Sequence, residues 1–383
     1  MSRSDKMSSD KLTVLQVIPS LEAGGAERAV VDISVALIKA GHEAIVVSKG
    51  GYLQAELQAK HARHIRQDVA SKNLFRIIFN AFFLAYIIIK EEVDIIHARS
   101  RAPAWSALWA ARMTGTPFVT TFHAAYKSNF FLKHWYNSVM TKSDRIIAIS
   151  EFIARHIKKN YGVNASRITV IPRGIDMSVY DAAAISDERK QKLLNIWNNK
   201  AGVPVMIMPG RLSPIKGHEL VLDALSTLKQ HPFICVFIGP DQGRSKYSER
   251  LRGLVEEYGL KDKIIWMDGG DVPAAYSLAQ LVLSPSQVAE GFGRVPVEAQ
   301  AMGVPVIATA LGATDETIVD GQTGWLVPPG DAQALSNAIL KCLNLSAEER
   351  AAMSQRAKEY VHGKFQLQQM CAATLQVYAE IAK

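Results

Sequence analysis

A chain of 383 residues, 48% apolar and 21% charged, is too long for one hydrophobic core and lies outside the disordered, collagen-like and multi-span membrane ranges, so it predicts two globular domains. Three widely spaced cysteines, Cys235, Cys342 and Cys371, make neither a disulfide framework nor a thiolate metal site, and the first dozen residues lack the apolar stretch of a secretory signal, so a reducing cytosol is expected. The net charge of +8 is uneven: residues 1–180 carry 24 Lys and Arg against 14 Asp and Glu, residues 181–383 carry 20 against 22, and a basic half suits a polyanion, either nucleic acid or an anionic membrane surface, if it is more than solubility charge.

Short apolar runs alternate with helical patterns along the whole chain. A strand over 12–18 is followed by a helix from Ala26, in which Ala29, Val30, Ile33, Ala36, Leu37 and Ala40 keep the three-and-four spacing of a buried stripe before Gly41 stops it. Strand-like runs follow at 44–48, 93–97, 117–122, 145–149 and 168–171, with helical segments near 71–91, 102–114, 127–142 and 151–161. The polar stretch 181–202 reads as a linker plus a surface helix. A second series then runs through strands at 205–208, 233–238, 264–267, 281–284, 304–308 and 324–327, ending in helices opened by Ser346-Ala-Glu-Glu349 and covering 366–382. Such alternation predicts two doubly wound parallel sheets, 1–180 and 203–365, with ligands bound at the carboxyl ends of the strands in the cleft where they face each other.

Several chemistries are missing from the sequence. There is no G-x4-GK[ST] phosphate loop, no G-x-G-x-x-G after a strand, no G-x-S-x-G elbow, no H-E-x-x-H and no D-x-D pair, which argues against ATPase, nicotinamide, serine-hydrolase and metal-diphosphate chemistry. No nucleic-acid-binding motif accompanies the basic charge. What remains is a metal-free phosphate site at strand ends. Arg211 and Lys216 share the loop after the strand 205–208, a fork and a point charge suited to a diphosphate. In Glu290-Gly-Phe-Gly-Arg-Val-Pro-Val-Glu298, Gly291 and Gly293 allow close backbone approach, the following helix aims free N–H groups at an anion, and the two acids are placed to accept from sugar hydroxyls.

Those strings, with Glu22-Ala-Gly-Gly-Ala-Glu-Arg28 and Asp320-Gly-Gln-Thr-Gly-Trp-Leu-Val-Pro-Pro-Gly-Asp331, resemble glycosyltransferase family 4 across the whole chain. The resemblance implies the GT-B fold, two Rossmann-like domains facing across a cleft, and retaining transfer from a nucleotide sugar without a metal. By position, Arg211 and Lys216 hold the donor diphosphate and Glu298 the ribose. Glu290, with the backbone around Gly291, Phe292 and Gly293, holds the donor sugar. Gly24 and Gly25 close over the phosphates, and His123 matches the family histidine beside the reacting sugar. The sequence departs from the family at Ala124, Arg173 and Gly312-Ala313. The resemblance also implies that the last helix, 366–383, crosses back to the first domain. A nucleotide-sugar epimerase of similar architecture is the alternative, with a glycosidase or a non-catalytic binder less favoured.

The basic half suggests where the acceptor binds. Residues 74–89 are nearly all apolar but too short to span a bilayer, and Lys72, Arg76 and Asn80 form one polar line, which predicts a mostly buried helix with a thin wet edge. In 127–142, Phe131, Leu132, Trp135, Tyr136, Val139 and Met140 oppose Lys133, His134 and Lys142, the pattern of an interfacial helix. The string from His97 to Trp105 resembles transferases acting on lipopolysaccharide core. Together these predict a peripheral enzyme at the inner face of the plasma membrane, with a glycolipid or lipopolysaccharide acceptor.

Overall fold

The computed structural model describes residues 11–22, 24–126, 130–199 and 202–382. They form two compact units, one ending at Pro172 and regaining the chain from Leu367 onward, the other running from Arg173 to Gln366.

The first unit alternates strand and helix: β1 (Thr13–Val17), α1 (Gly25–Lys39), β2 (Glu43–Ser48), α2 (Gln54–Ala59), β3 (Arg63–Arg66), α3 (Leu74–Lys90), β4 (Ile95–Ala98), α4 (Arg101–Thr114), β5 (Phe118–Phe122), α5 (Phe131–Asn137), β6 (Arg145–Ala148), α6 (Glu151–Tyr161) and β7 (Ile168–Val170). The strands form one parallel sheet in the order β3-β2-β1-β4-β5-β6-β7, so the winding reverses between β1 and β4. β1, β4 and β5 are buried on both faces because helices cover both; each fully buried Leu, Ile or Val there contributes about 1.5–3 kcal/mol, and Gln16, His97, Thr120 and Thr121 are polar groups buried among them. Asn73 and Ser150 open α3 and α6 by accepting from the backbone N–H groups of Arg76 and Ile153.

Two sequence expectations in this unit are corrected. The polar line on α3 does not mark its wet side: Asn80 is buried, its Oδ1 accepting from Gln67 at 2.9 Å and its Nδ2 donating to the Asp68 carbonyl, while Phe75, Phe79, Phe82 and Tyr86 face solvent. An all-apolar helix leaves its inward arc undecided by periodicity, and the loop before α3 supplies partners that bring the asparagine inside. Residues 127–129 of the expected interfacial helix lie outside the described residues. The remainder is α5 and a 3₁₀ turn (Ser138–Thr141) that carries Val139 and Met140 into the core, leaving only Phe131, Leu132 and Trp135 of the expected face exposed, with Phe130 beside them.

The second unit holds α7 (Asp187–Trp197), β8 (Val205–Pro209), α8 (His218–Ser226), β9 (Ile234–Ile238), α9 (Ser245–Glu257), β10 (Ile264–Met267), α10 (Val272–Leu278), β11 (Leu281–Ser284), α11 (Arg294–Ala301), β12 (Val306–Thr309), α12 (Thr314–Thr317), β13 (Trp325–Val327), α13 (Ala332–Leu343) and α14 (Ala347–Lys364). Its parallel sheet runs β10-β9-β8-β11-β12-β13, reversing between β8 and β11. Of the stretch 181–202, expected as linker and surface helix, residues 181–199 are integral here. Ser186 caps α7, Ile185, Leu193 and Trp197 pack with Val205 and Ile207, and Arg189 pairs with Asp271 at 2.6 Å. The expected boundary at residue 180 therefore moves to 172, because Tyr180, Ile185, Leu193 and Trp197 pack into this core.

The last helix, α15 (Leu367–Ile381), lies in the first unit, where Met370, Cys371, Val377 and Tyr378 join a core with Val30 and Leu37 of α1. Its anchor is polar. The Tyr378 hydroxyl meets His97 Nδ1 at 2.6 Å, His97 Nε2 meets Thr121 at 2.7 Å, and Arg99 Nε donates to Gln16 at 2.9 Å, all buried. Burial, then the nearby Arg99 cation, pushes the His97 imidazole well below its usual range, so it is neutral at pH 7.

Candidate functional site

In an open parallel sheet, ligands bind beyond the carboxyl ends of the strands where the winding reverses. In the second unit that point lies between β8 and β11, and the loops after both strands carry the residues singled out above. Arg211 and Lys216 follow β8, and Glu290 to Gly293 follow β11 and lead into α11. The loops are tied together, since the Gln287 N–H donates to the Ile215 carbonyl at 2.8 Å and Thr309 Oγ1 to the Ser286 carbonyl at 2.6 Å.

The structure brings Lys216 and Glu290 into direct contact, Nζ to Oε1 at 2.7 Å, with the Ser286 hydroxyl donating to the same carboxylate oxygen. Both side chains remain about a quarter exposed, so the pair is open to a ligand. Arg211 is not part of the pair. It is exposed and donates to Gln242 Oε1 at 3.2 Å, leaving most of its guanidinium donors toward solvent. Glu290 is fixed through its backbone: it bridges Gly312, and its carbonyl accepts from the Ala313 N–H at 3.1 Å. Gly312 has φ +76°, and a Cβ there would stand 2.3 Å from the Glu290 carbonyl oxygen, so only glycine fits this approach.

Of the two glycines after Glu290, Gly293 takes a left-handed conformation, φ +81°, and precedes α11 with no side-chain hydrogen bond capping that end, so the positive end of the helix dipole faces this loop. Phe292 is an anchor, buried edge-on against Phe365 with centroids 5.4 Å apart. Glu298 is also mostly buried. Its Oε2 accepts from Tyr276 at 3.1 Å and its Oε1 pairs with Arg294 at 2.9 Å, and Tyr180 lies beside both. Burial and then the Glu298 charge raise the Tyr276 hydroxyl well above its usual range, keeping it a donor. Tyr180, Tyr276, Arg294 and Ser286 escaped the sequence reading; Arg294, one turn before Glu298, was the legible member.

The remaining residues belong to the first unit. His123 follows β5, half-buried, and Gly24 and Gly25 stand at the start of α1 in the loop after β1. Beyond β1, β2 and β3 lies a cavity of about 640 Å³ lined by Ser20, Glu22, Lys49, Arg66, Asp68 and Ser71 among others. The sequence reading missed Lys49 and Arg66, although each stands at the carboxyl end of a strand, where site residues collect.

Comparison with known proteins agrees with this geometry. The family model described as Glycosyl transferases group 1 matches residues 189–360, and that described as Glycosyltransferase Family 4 matches residues 23–179. The crystal structure of a glycosyltransferase from Rickettsia africae is 36% identical, with a TM-score of 0.92 over 98% of this chain and 100% of that one. Anabaena Alr3699/HepE, solved in complex with UDP-glucose, is 22% identical with a TM-score of 0.82 over 96% of this chain and 100% of its own. Among curated relatives, the D-inositol 3-phosphate glycosyltransferase of Acidothermus cellulolyticus is 28% identical over 66% of this chain, which spans 60% of that relative's length. With two family models matched in series and a glycosyltransferase more than a third identical end to end, the chain belongs to glycosyltransferase family 4, and its two parallel-sheet units are those of the GT-B fold.

Proposed function

We propose that this protein moves a hexosyl unit from a nucleotide diphosphate sugar to a lipid-linked or lipopolysaccharide-core acceptor at the inner face of the plasma membrane, retaining anomeric configuration and needing no metal. The observation that carries the reading is the Lys216–Glu290 pair at the strand reversal, with Arg211 beside it on the same loop and the uncapped start of α11 following Gly293. An incoming diphosphate takes Lys216 as counter-ion in place of the carboxylate, and Glu290, released, accepts from a hydroxyl of the donor sugar. Arg211 and the α11 N–H groups spread the charge that grows as the bond from anomeric carbon to diphosphate oxygen breaks. The diphosphate leaves with the bonding pair. The acceptor oxygen bonds the anomeric carbon from the same face, and its proton passes to the departing oxygen. Glu298, held by Tyr276 and Arg294, orients the ribose, and His123 stands by the reacting sugar.

Two observations support a nucleotide sugar: the phosphate-suited donor set, and UDP-glucose in the Anabaena neighbour. The acceptor's polar end is assigned to the cavity with Lys49 and Arg66. The same two cations, with the inositol-phosphate acceptor named for the Acidothermus relative, favour a second reading in which the acceptor is a small phosphorylated polyol. A panel of nucleotide sugars read by thermal stabilisation identifies the donor. Transfer is then followed with a lipid-linked and with a soluble phosphorylated acceptor, in chelator, with product anomer read by NMR. Retained linkage on the lipid acceptor supports the proposal. Transfer only to the soluble acceptor, an isomerised donor with no acceptor present, or full loss in chelator overturns its respective part.

A further inference from the structure

The expected contact with a membrane was placed on residues 127–142, but the structure exposes a larger apolar surface elsewhere. On α3, Leu74, Phe75, Ile78, Phe79, Phe82 and Tyr86 line one side, continued by Ile89, and the four aromatic rings are between 58% and 81% exposed. At 100° per residue these positions fall within an arc of about 140°, and at 1.5 Å rise they run for about 23 Å. Four rings of roughly 200 Å² each, so exposed, leave about 500 Å² of aromatic surface in water, and the three aliphatic residues take the patch to about 800 Å². That exceeds the roughly 300–600 Å² of the largest apolar patch on an ordinary monomer. The opposite face of α3 is committed: Ile77, Asn80, Leu84 and Ile88 are buried, and the Ile77 carbonyl accepts from Ser106 of α4.

Charge selects the occupant. Residues 71–143 carry nine Lys and Arg against three acids, Glu91, Glu92 and Asp94. α3 itself holds Arg76 and Lys90, both exposed and on the rim of the stripe, and no acid. Their acid neighbours are loose or shared: Asp68 stands 3.8 Å from Arg76, and Glu91, paired with Arg63 at 2.6 Å, stands 4.0 Å from Lys90, with both cations more than half exposed. A second copy of the chain packed antiparallel along α3 would set the Arg76 end against the Lys90 end, cation against cation, whereas an anionic leaflet accepts both cations and stripe. Seventeen residues are short of the roughly 20 a spanning helix needs, and no helix among the described residues is long and apolar enough to cross a membrane, so the helix lies in the interface plane.

We infer that the outer face of α3 is the surface by which this protein docks on an anionic membrane, its aromatic stripe entering the headgroup boundary with Arg76 and Lys90 along one rim, near the two ends of the helix. The inference rests on the lipid-linked acceptor reading and deepens it. Two residues, Lys72 and Asn73, separate Ser71, which lines the polar cavity, from the first residue of α3, so the cavity and the docking helix are consecutive in the chain.

The test is flotation of the full chain with vesicles of phosphatidylcholine alone and of phosphatidylcholine with 30% phosphatidylglycerol, without donor or acceptor. Wild type binds the anionic vesicles at least tenfold more tightly. F75E/F82E, two exposed positions where folding is checked by melting temperature, loses at least twentyfold of that affinity. R76Q/K90Q loses the preference for anionic lipid and most of the salt dependence, and Phe131→Glu on α5 changes affinity less than threefold. Undiminished binding by F75E/F82E, loss confined to Phe131→Glu, or a wild-type dimer that F75E/F82E dissolves in the absence of any lipid binding overturns the inference. Because these vesicles hold no acceptor, failed sugar transfer would strike the proposed function and leave this result standing.

Discussion

Gly312→Ala is the sharpest single perturbation of the site, because it acts on Glu290 without touching a charged group. Two costs add. Placing Ala at φ +76° costs about 1–2 kcal/mol. The new Cβ would also lie 2.3 Å from the Glu290 carbonyl oxygen and 2.6 Å from its nitrogen, so the Glu290 backbone must retreat by about 1 Å to reach ordinary contact, breaking the bridge to residue 312. The total is about 2–4 kcal/mol, a fall in melting temperature of roughly 4–16 °C for a unit of this size. A displacement of about 1 Å in a carboxylate that holds the donor should lower turnover on the order of 100-fold. Gly321→Ala is the control: φ is +71° and nothing lies within 4 Å of its Cβ, so it carries the backbone cost of about 1–2 kcal/mol alone. The assay is release of nucleoside diphosphate under saturating donor, beside a melt of each variant. Equal turnover of the two variants would refute the claim that Gly312 positions Glu290 for the reaction.

Lys216→Met keeps the aliphatic stem and removes the charge. It should lower turnover about 10²–10³-fold with the fold intact, and Arg211→Gln, at an exposed position, somewhat less, both measured by diphosphate release at fixed donor. Burial holds the His218 imidazole down at about 4 against about 6.5 in the unfolded chain, so the unfolded state takes up the proton first and stability falls by about 2 kcal/mol between pH 7 and 5. Urea melts of His218→Asn at both pH values should lose that difference, and an unchanged pH dependence would contradict it. All three cysteines are buried, with Cys342 raised to about 11 and Cys371 to about 12, so iodoacetamide at pH 8 should label none in the native protein and three in denaturant.

The two sheets were legible because their apolar runs are bounded by helix caps and glycines, and because a parallel strand buried on both faces reads as a continuous apolar run, as β9 does. The diphosphate loop was legible as a matter of position, since Arg211 and Lys216 stand directly after a strand. What the sequence left hidden depends on which neighbour a side chain meets. Asn80 looks like a wet edge until Gln67 and the Asp68 carbonyl satisfy it inside, and only then does the aromatic face of α3 turn outward. Val139 and Met140 look interfacial on a helical wheel, but the helix tightens to a 3₁₀ turn after Asn137 and the wheel no longer applies. The stretch 181–202 reads as a linker by its charges, whereas Leu193 and Trp197, one turn apart, are its core-facing pair. The Lys216–Glu290 contact joins residues 74 positions apart and has no local trace in either motif.

The central claim is that Lys216 gives up Glu290 to take a diphosphate beside Arg211. A crystal structure with a bound nucleoside diphosphate sugar measures this directly. Diphosphate oxygens should lie within about 2.7–3.2 Å of Lys216 Nζ and of the Arg211 guanidinium, with Glu290 turned to a sugar hydroxyl. A donor whose phosphates lie beyond hydrogen-bond reach of both cations, with the Lys216–Glu290 pair still closed at 2.7 Å, would contradict it.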